Sequence, residues 1–321
     1  MRRTLMISAA VAIAALIAGA GWIAVSREHG AGAAPVLKVA SQKGGTKSLM
    51  LAAGVLAGTP YRIEWSEFPS AQALLEALGA GAVDIGQVGD APFMFGYASG
   101  LKIKAVQVAE QSRGESTAVI VPAGSGIHAV ADLRGRRIAT GKGSIGHYLL
   151  LRAIERAGLA PRDVDIVFMA PADAKAAFSS GAVDAWATWR PYVGLAVLHD
   201  GARVLVDGTG LMSGIGFEAA NQDAIAGKPA QLADFLHRLT LAERWAGSHR
   251  AAYAAVMARE TGLPPDVARY VVDHAVPRTV PIGPQVIAEE RLTVAHFVAA
   301  GVMPQPADVA AAFETRFDPG S

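Results

Sequence analysis

The 321-residue chain contains no cysteine. That excludes a disulfide framework, thiolate metal ligation, a cysteine nucleophile and a lipidated N-terminal cysteine. Its eight histidines (29, 128, 147, 199, 237, 249, 274 and 296) never fall within five residues of one another, so no helical pair of zinc ligands is available. Neither a metal nor a cofactor is expected. Charge is scarce too: 18% of residues are charged, and 29 Lys+Arg against 28 Asp+Glu leave a net +1. No basic field for nucleic acid follows from that balance. What the chain has in quantity is apolar sequence, 52% of residues, which excludes intrinsic disorder. Its length suits two lobes rather than one small core.

One long apolar run stands at the start. Met1, Arg2 and Arg3 precede a stretch from Leu5 to Val25 that is interrupted only by Ser8. Arginines ahead of such a run hold the N-terminus in the cytoplasm and send the remainder across the membrane. At 21 residues the run is long enough to span a bilayer. Two readings of residues 1–34 therefore stand. One is a signal peptide cleaved near Ala31–Ala34 or Ala18–Ala20; the other is an uncleaved anchor. Both place the domain in the periplasm. Without residues 1–34 the chain keeps 26 basic and 27 acidic residues, so selectivity for a charged ligand falls to local groups.

The most informative feature is an internal repeat. Gly81-Ala82-Val83-Asp84 recurs as Gly181-Ala182-Val183-Asp184, and Val39-Ala40-Ser41-Gln42-Lys43-Gly44-Gly45 is echoed by Ile138-Ala139-Thr140-Gly141-Lys142-Gly143-Ser144. Each copy continues with a helical apolar pattern stopped by glycine (Leu49 to Gly58, Leu149 to Gly158) and a strand-like run (Tyr61 to Trp65, Val164 to Phe168). A second helix (Ala71 to Leu78, Ala172 to Phe178) and a Gly-Ala-Val-Asp strand complete it. Strand, glycine loop, helix, strand, helix, strand describes an α/β unit with a largely parallel sheet, present twice. Thr117–Val121 and Gly216–Ala220 are the expected crossings between lobes, flanked by glycine-rich hinge sequence. Lobe 1 is then 35–118 with 216–321, and lobe 2 is 119–215. From Gln222 onward the sequence reads as five helices: Gln231 to Ala246, His249 to Thr261, Pro265 to His274, Gln285 to Ala299 and Ala307 to Arg316.

A strand that ends in a glycine loop and opens into a helix exposes unpaired N–H groups at the positive end of the helix dipole, which makes an anion site. Gln42-Lys43-Gly44-Gly45-Thr46 and Gly141-Lys142-Gly143-Ser144-Ile145 are both of this kind. Ligands of open α/β sheets sit at the carboxyl ends of strands, so two facing lobes would bring both loops to one cleft. Gly89-Asp90 offers a further helix start with a carboxylate. Trp186 and Trp189 lie on opposite faces of a regular strand, so a turn after Thr188 is needed for Trp189 to reach the cleft.

Other motif readings fail on particular residues. Gly141-x-Gly143-x-x-Gly146 fits the dinucleotide fingerprint, but the next strand begins with Asp165 and ends in Met169-Ala170-Pro171 without the required acid. Gly143 follows Lys142 where a phosphate loop needs Ser or Thr. Ser144 and His147 have nucleophile–base spacing without a carboxylate to orient the histidine. His147 lines the site, caps the loop or stands at the surface.

These residues, with Glu67-Phe68-Pro69, Gly89-Asp90-x-Pro92, Asp132-Leu133-x-Gly135, Lys142-Gly143-Ser144, His147-x-Leu149-Leu150-Leu151-Arg152-Ala153, Pro171-Ala172-Asp173-Ala174 and Asp184-Ala185-Trp186-Ala187-x-Trp189-x-Pro191-Tyr192, carry a resemblance. From about Leu37 to Phe317 the chain resembles the aliphatic-sulfonate-binding proteins of bacterial ABC importers, within the nitrate/sulfonate/taurine group. The resemblance implies a type II periplasmic binding fold: two α/β lobes, each a mixed, mostly parallel sheet with helices on both faces, joined by two hinge crossings. It implies a non-catalytic, monomeric protein that closes on a small organosulfonate and presents it to a membrane permease with its ATPase.

The sulfonate head falls to Gln42, Gly44 and Gly45 with Thr46, to Gly89 and Asp90, and to Lys142, Gly143 and Ser144. Phe68 and His147 join the site, and Trp186 and Trp189 face the organic tail. Arg190 stands where such proteins carry an acid, and either takes a second anionic group or faces solvent. Asp90 either bonds loop amides away from the ligand or receives an N–H from it. The alternatives are a binding protein for nitrate, taurine or a pyrimidine thiamine precursor, and an enzyme on the same fold.

Overall fold

The computed structural model describes residues 34–111, 114–306 and 308–318; the expected export segment lies, Ala34 apart, outside them. The chain divides into two compact units. In the first, Met1–Val36 with Pro60–Arg62, the Arg62 amide donates to Pro35 O at 2.8 Å. The second, Leu37–Thr59 with Ile63–Ser321, holds the residues of the site.

The repeat is visible as two series of alternating elements. The first runs β1 (Val36–Gln42), α1 (Thr46–Ala53), β2 (Arg62–Phe68), α2 (Ala71–Gly79), β3 (Ile85–Gly89) and α3 (Asp90–Ala98), followed by β4 (Ile103–Glu110) and β5 (Thr117–Pro122). The second runs β6 (Arg137–Thr140), α4 (Ile145–Arg156), β7 (Asp165–Phe168), α5 (Pro171–Ser179), β8 (Ala185–Trp189) and α6 (Tyr192–His199), followed by β9 (Ala202–Asp207) and β10 (Ile215–Asn221). The remainder is α7 (Gln222–Gly227), α8 (Pro229–Ser248), α9 (Arg250–Thr261), α10 (Pro265–His274), β11 (Arg278–Val280) and α11 (Pro284–Ala299).

One sheet has the order β11-β4-β10-β3-β1-β2 and the other β7-β6-β8-β5-β9. Repeat strands pair in parallel in corresponding register, Val39 opposite Ile85 and Ile138 opposite Ala185. Both sheets are mixed because β10 runs antiparallel between β3 and β4, and β5 runs antiparallel between β8 and β9. Burial of Phe93, Phe217 and Phe297 holds the first sheet to its helices, and each contributes about 2–3 kcal/mol. Trp186, packed against Phe178 and Tyr192, does the same in the second lobe.

Four details differ from the sequence reading. The Gly-Ala-Val-Asp segments precede β3 and β8 rather than forming them. Gly81 and Gly181 are left-handed (φ +70° and +73°) and end α2 and α5, while Val83 and Val183 are buried. The Asp84 and Asp184 carboxylates accept the amides of Lys38 (2.7 Å) and Arg137 (2.8 Å), fastening the starts of β1 and β6. Helix α1 begins earlier than expected and stops at Gly54 (φ +68°) rather than Gly58.

The crossings lie outside the strands named for them: β5 already pairs wholly in the second sheet from Thr117, and β10 wholly in the first. The passage runs through Gly114 and Gly208–Gly214, where the Gly208 amide donates to Gly114 O at 3.2 Å and the Gln111 amide to Gly214 O at 2.8 Å. A Cβ on Gly114 would stand 2.3 Å from Gly208 backbone, so only glycine lets the two crossings touch. Finally, the stretch expected as a helix from Ala307 to Arg316 has short 3₁₀ turns at Ala310–Ala312 and Thr315–Phe317. Beyond the end of β11, β4 offers unused backbone groups, and this segment takes them through the Ala105–Phe313 bridge and the Glu314 amide on Ala105 O (2.9 Å).

Candidate functional site

Both glycine loops fold by the same local chemistry. After β1 the Gly45 amide donates to Gln42 O at 2.8 Å, with Gly44 left-handed at φ +76°. After β6 the Ser144 amide donates to Gly141 O at 3.0 Å, with Gly143 at φ +68°. Gly45 and Ser144 are the N-caps of α1 and α4. Gln42, Lys43, Gly44 and Gly45 on one side and Ser144 and Ile145 on the other line a single cavity of about 70 Å³. Gly89, Trp189 and Arg190 also form part of its wall. Two helix N-termini thus open on one small space, an arrangement that favours negative oxygens.

A second chamber of about 30 Å³ lies behind Gly44, Gly45, Gln87, Gln111 and Arg190, which line both. Thr46 faces it and donates its hydroxyl to Glu218 Oε1 at 3.1 Å. A far larger surface groove, about 1110 Å³, runs along the crossings and α8. It contains neither glycine loop, so size alone does not mark the site.

The remaining expected residues stand outside both chambers. Phe68 is half-buried against the core. The Lys142 side chain is exposed, while its carbonyl accepts from Gln72 Nε2 at 3.2 Å. The Gly143 amide donates to His147 Nδ1 at 3.2 Å, so it is engaged within the loop. His147 caps that loop; burial, aided by the Lys142 charge, pulls its imidazole down to about 4. Trp186 belongs to the core, and Trp189 reaches the cavity with its ring edge-on to Tyr192. Asp90 turns toward its own helix, taking the Ala91 amide at 2.6 Å and the Ser213 hydroxyl. Burial pushes this carboxyl up to about 6 against those two bonds.

Arg190 is the residue that the sequence left open. It is half-buried, its guanidinium donates to Gln111 Oε1 and to Ala275 O (3.4 Å), and among the described residues no carboxylate pairs with it. Gln87, Gln107 and Glu218 were missed altogether. Their signal was a single polar residue inside an apolar strand, as in Val106-Gln107-Val108 and Phe217-Glu218-Ala219. Among the described residues no group of three His, Asp or Glu side chains is placed to hold a metal.

Two α/β lobes joined by paired crossings, with twin helix starts on a shared cavity, define the class: a two-lobed periplasmic-binding-protein fold. The chain belongs to the NMT1/THI5-like family, whose profile matches residues 66–236. It is 36% identical over 277 residues to an Escherichia coli (strain K12) protein named for binding aliphatic sulfonates, covering 85% of this chain and 86% of that one. The alkanesulfonate-binding protein SsuA of Xanthomonas axonopodis pv. citri, solved with MOPS, superposes with a TM-score of 0.81 at 33% identity, covering 88% of this chain and 99% of that one. The E. coli periplasmic aliphatic sulphonate binding protein SsuA gives 0.77 at 34% identity, with 87% and 92% covered. The desulfurization enzyme DszB shares the fold (TM-score 0.63) at 18% identity.

Proposed function

We propose that this protein binds a small organosulfonate in the cavity between its lobes and delivers it, outside the cytoplasm, to the permease and ATPase of an ABC importer. The observation that carries this reading is the convergence of the α1 and α4 N-termini on one cavity with the Arg190 cation, which no carboxylate pairs among the described residues. A sulfonate keeps its charge at ordinary pH, and amide dipoles plus one guanidinium meet it without a protonation step. The relatives named for sulfonate binding support the same ligand class.

The ligand-binding residues of this proposal are Gln42, Gly44, Gly45, Gly89, Ser144, Trp189 and Arg190. Thr46, Gly143, His147 and Asp90 shape the loops around them, and Trp186 supports Trp189's strand from the core. The expected lobes, 35–118 with 216–321 and 119–215, take their boundaries in this proposal from the glycine crossings at Gly114 and Gly208–Gly214, and close as a monomer about them. The protein is not an enzyme in this reading. Ser144 accepts the His147 amide at 3.1 Å as a helix cap, and His147 Nδ1 faces the Gly143 amide instead of the serine hydroxyl.

Isothermal titration of the purified chain with alkanesulfonates, nitrate and an aminopyrimidine tests the ligand class. Binding of sulfonates alone is expected, with Arg190→Met weakening it roughly 10–100-fold, the worth of a charged hydrogen bond. Binding of nitrate or pyrimidine in preference, or recovery of a chemically altered sulfonate, would sink the reading.

A further inference from the structure

Helix α11 buries Val286, Glu290, Thr293, Val294 and Phe297, the spacing of one helical face. Within that stripe Glu290 is the residue out of place. It is 0% exposed, and neither of its carboxyl oxygens has a hydrogen-bond partner. The charges acting on it are the carboxyls of Asp90 and Glu289, and both oppose its ionisation. The face it lies on is a seam between helices of the two sheets. The Phe297 ring packs on Phe95 of α3, which follows the first sheet's β3, and on His147 and Tyr148 of α4, which follows the second sheet's β6. A Cβ on Gly89 would stand 3.2 Å from Ile145 Cδ1, and the Tyr148 hydroxyl lies 3.4 Å from His296 Nδ1. Tyr148 is within electrostatic reach of both Asp90 and Glu290. Asp90, at the start of α3, is fully buried as well. The other charged groups along the seam leave the two carboxyls uncompensated. Arg152 gives its guanidinium to Glu155 on its own helix, His296 stands 3.9 Å from that same Glu155, and burial keeps His147 neutral.

We propose that Glu290, with Asp90 beside it, is a proton-binding site on this seam, and that closure of the lobes on a ligand takes up a proton there. This rests on the reading of the chain as a protein that closes on its ligand, and adds pH control to that closure. An ionised carboxylate in this interior has neither a cation nor a donor to meet it. Burial, reinforced by Asp90 and Glu289, therefore pushes the Glu290 carboxyl well above the ordinary carboxylate range. Parting the lobes draws α4 off α3 and α11, lets water reach both carboxyls and returns them toward their ordinary values. The closed form thus has the higher value. It is favoured at low pH and loses that advantage as pH rises through the closed-form value. A sulfonate does not titrate in this range, so the dependence belongs to the protein. Affinity falls with rising pH, by up to about tenfold per pH unit for one linked proton.

Calorimetric titration of the purified chain with ethanesulfonate tests the site, run at about pH 7.5 in two buffers of different ionisation enthalpy to count protons. At that pH the Asp90 carboxyl, at about 6, and the His147 imidazole, whose ordinary value is 6.5, change little, which leaves Glu290 to take the proton. Binding should take up most of one proton in the wild-type chain and almost none in Glu290→Gln, which keeps the shape of the protonated acid. Uptake unchanged in that variant, or no uptake at all, overturns the site and leaves sulfonate binding intact. Glu218, pushed up to about 8 beside the inner chamber, is the other carboxyl that titrates near this pH. Should Glu290→Gln fail to fold, uptake that persists in Glu218→Gln supports the site, and its loss there overturns it. If ethanesulfonate does not bind, the sulfonate reading falls by itself and small-angle scattering of the ligand-free chain decides. The radius of gyration should then shrink between about pH 8.5 and about pH 6.5 in the wild type and stay constant in Glu290→Gln. A wild-type radius that ignores pH overturns the site.

Discussion

Gly143 and Gly81 share nearly the same left-handed backbone, at φ +68° and +70°, yet their surroundings differ. A Cβ on Gly81 meets nothing within 4 Å, whereas one on Gly143 would lie 2.6 Å from the Phe95 ring. Gly81→Ala then costs only the strain of the backbone, about 1–2 kcal/mol. Gly143→Ala adds a collision with a ring contributed by α3 and shifts Ser144 and Ile145 with it. Urea unfolding should show the larger loss for Gly143→Ala, and titration should show weakened sulfonate binding in that variant alone. Equal losses in both would mean that Phe95 yields freely. Asp90 shows how a residue can mislead at this scale: a carboxylate at a helix start beside an anion cavity is acceptable because its oxygens are taken by the Ala91 amide and Ser213.

At the scale of elements, the strongest repeat in the chain is architectural rather than chemical. Each Gly-Ala-Val-Asp segment ends a helix with a left-handed glycine, buries its valine and ties the start of a neighbouring parallel strand with its aspartate. These feet stand at the opposite ends of the strands from the cavity; Asp184 and Trp189 are separated by the length of β8, roughly 16 Å at the usual rise per residue. Asp184→Ala removes the acceptor of the Arg137 amide and is expected to destabilise the fold by about 1–2 kcal/mol. Its sulfonate affinity should stay within about twofold of wild type. A large loss of affinity without loss of stability would contradict the assignment of the foot to the scaffold.

Across the whole molecule, bonds bridge the mouth of the cleft from lobe to lobe. Gln72 donates to Lys142 O at 3.2 Å, Tyr192 donates to Pro69 O at 3.3 Å, and His199 meets Asp266 at 3.0 Å. Each is exposed and adds little alone, so the balance between a closed and an open form rests on what occupies the cavity. In the proposed closure the paired glycines of the crossings are the joint about which the lobes would turn. Small-angle scattering should therefore give a smaller radius of gyration with saturating sulfonate than without it. Identical scattering curves would rule out the hinge.

Turn chemistry and periodicity act over a few residues, which is why the two glycine loops, helices α8 to α11 and the doubled α/β unit were legible in the sequence. The Ala307 to Arg316 segment was misread for the converse reason: its conformation follows from an open edge on β4, about two hundred residues away. Which polar groups line the two chambers was decided only by tertiary structure. Gln87, Gln107 and Glu218 become neighbours through the register of β3, β10 and β4, and Arg190 becomes a half-buried cation, with no carboxylate partner among the described residues, through its bonds to Gln111 and Ala275. Burial and pairing between residues so far apart in the chain are properties of the packed sheet, and no local pattern encodes them.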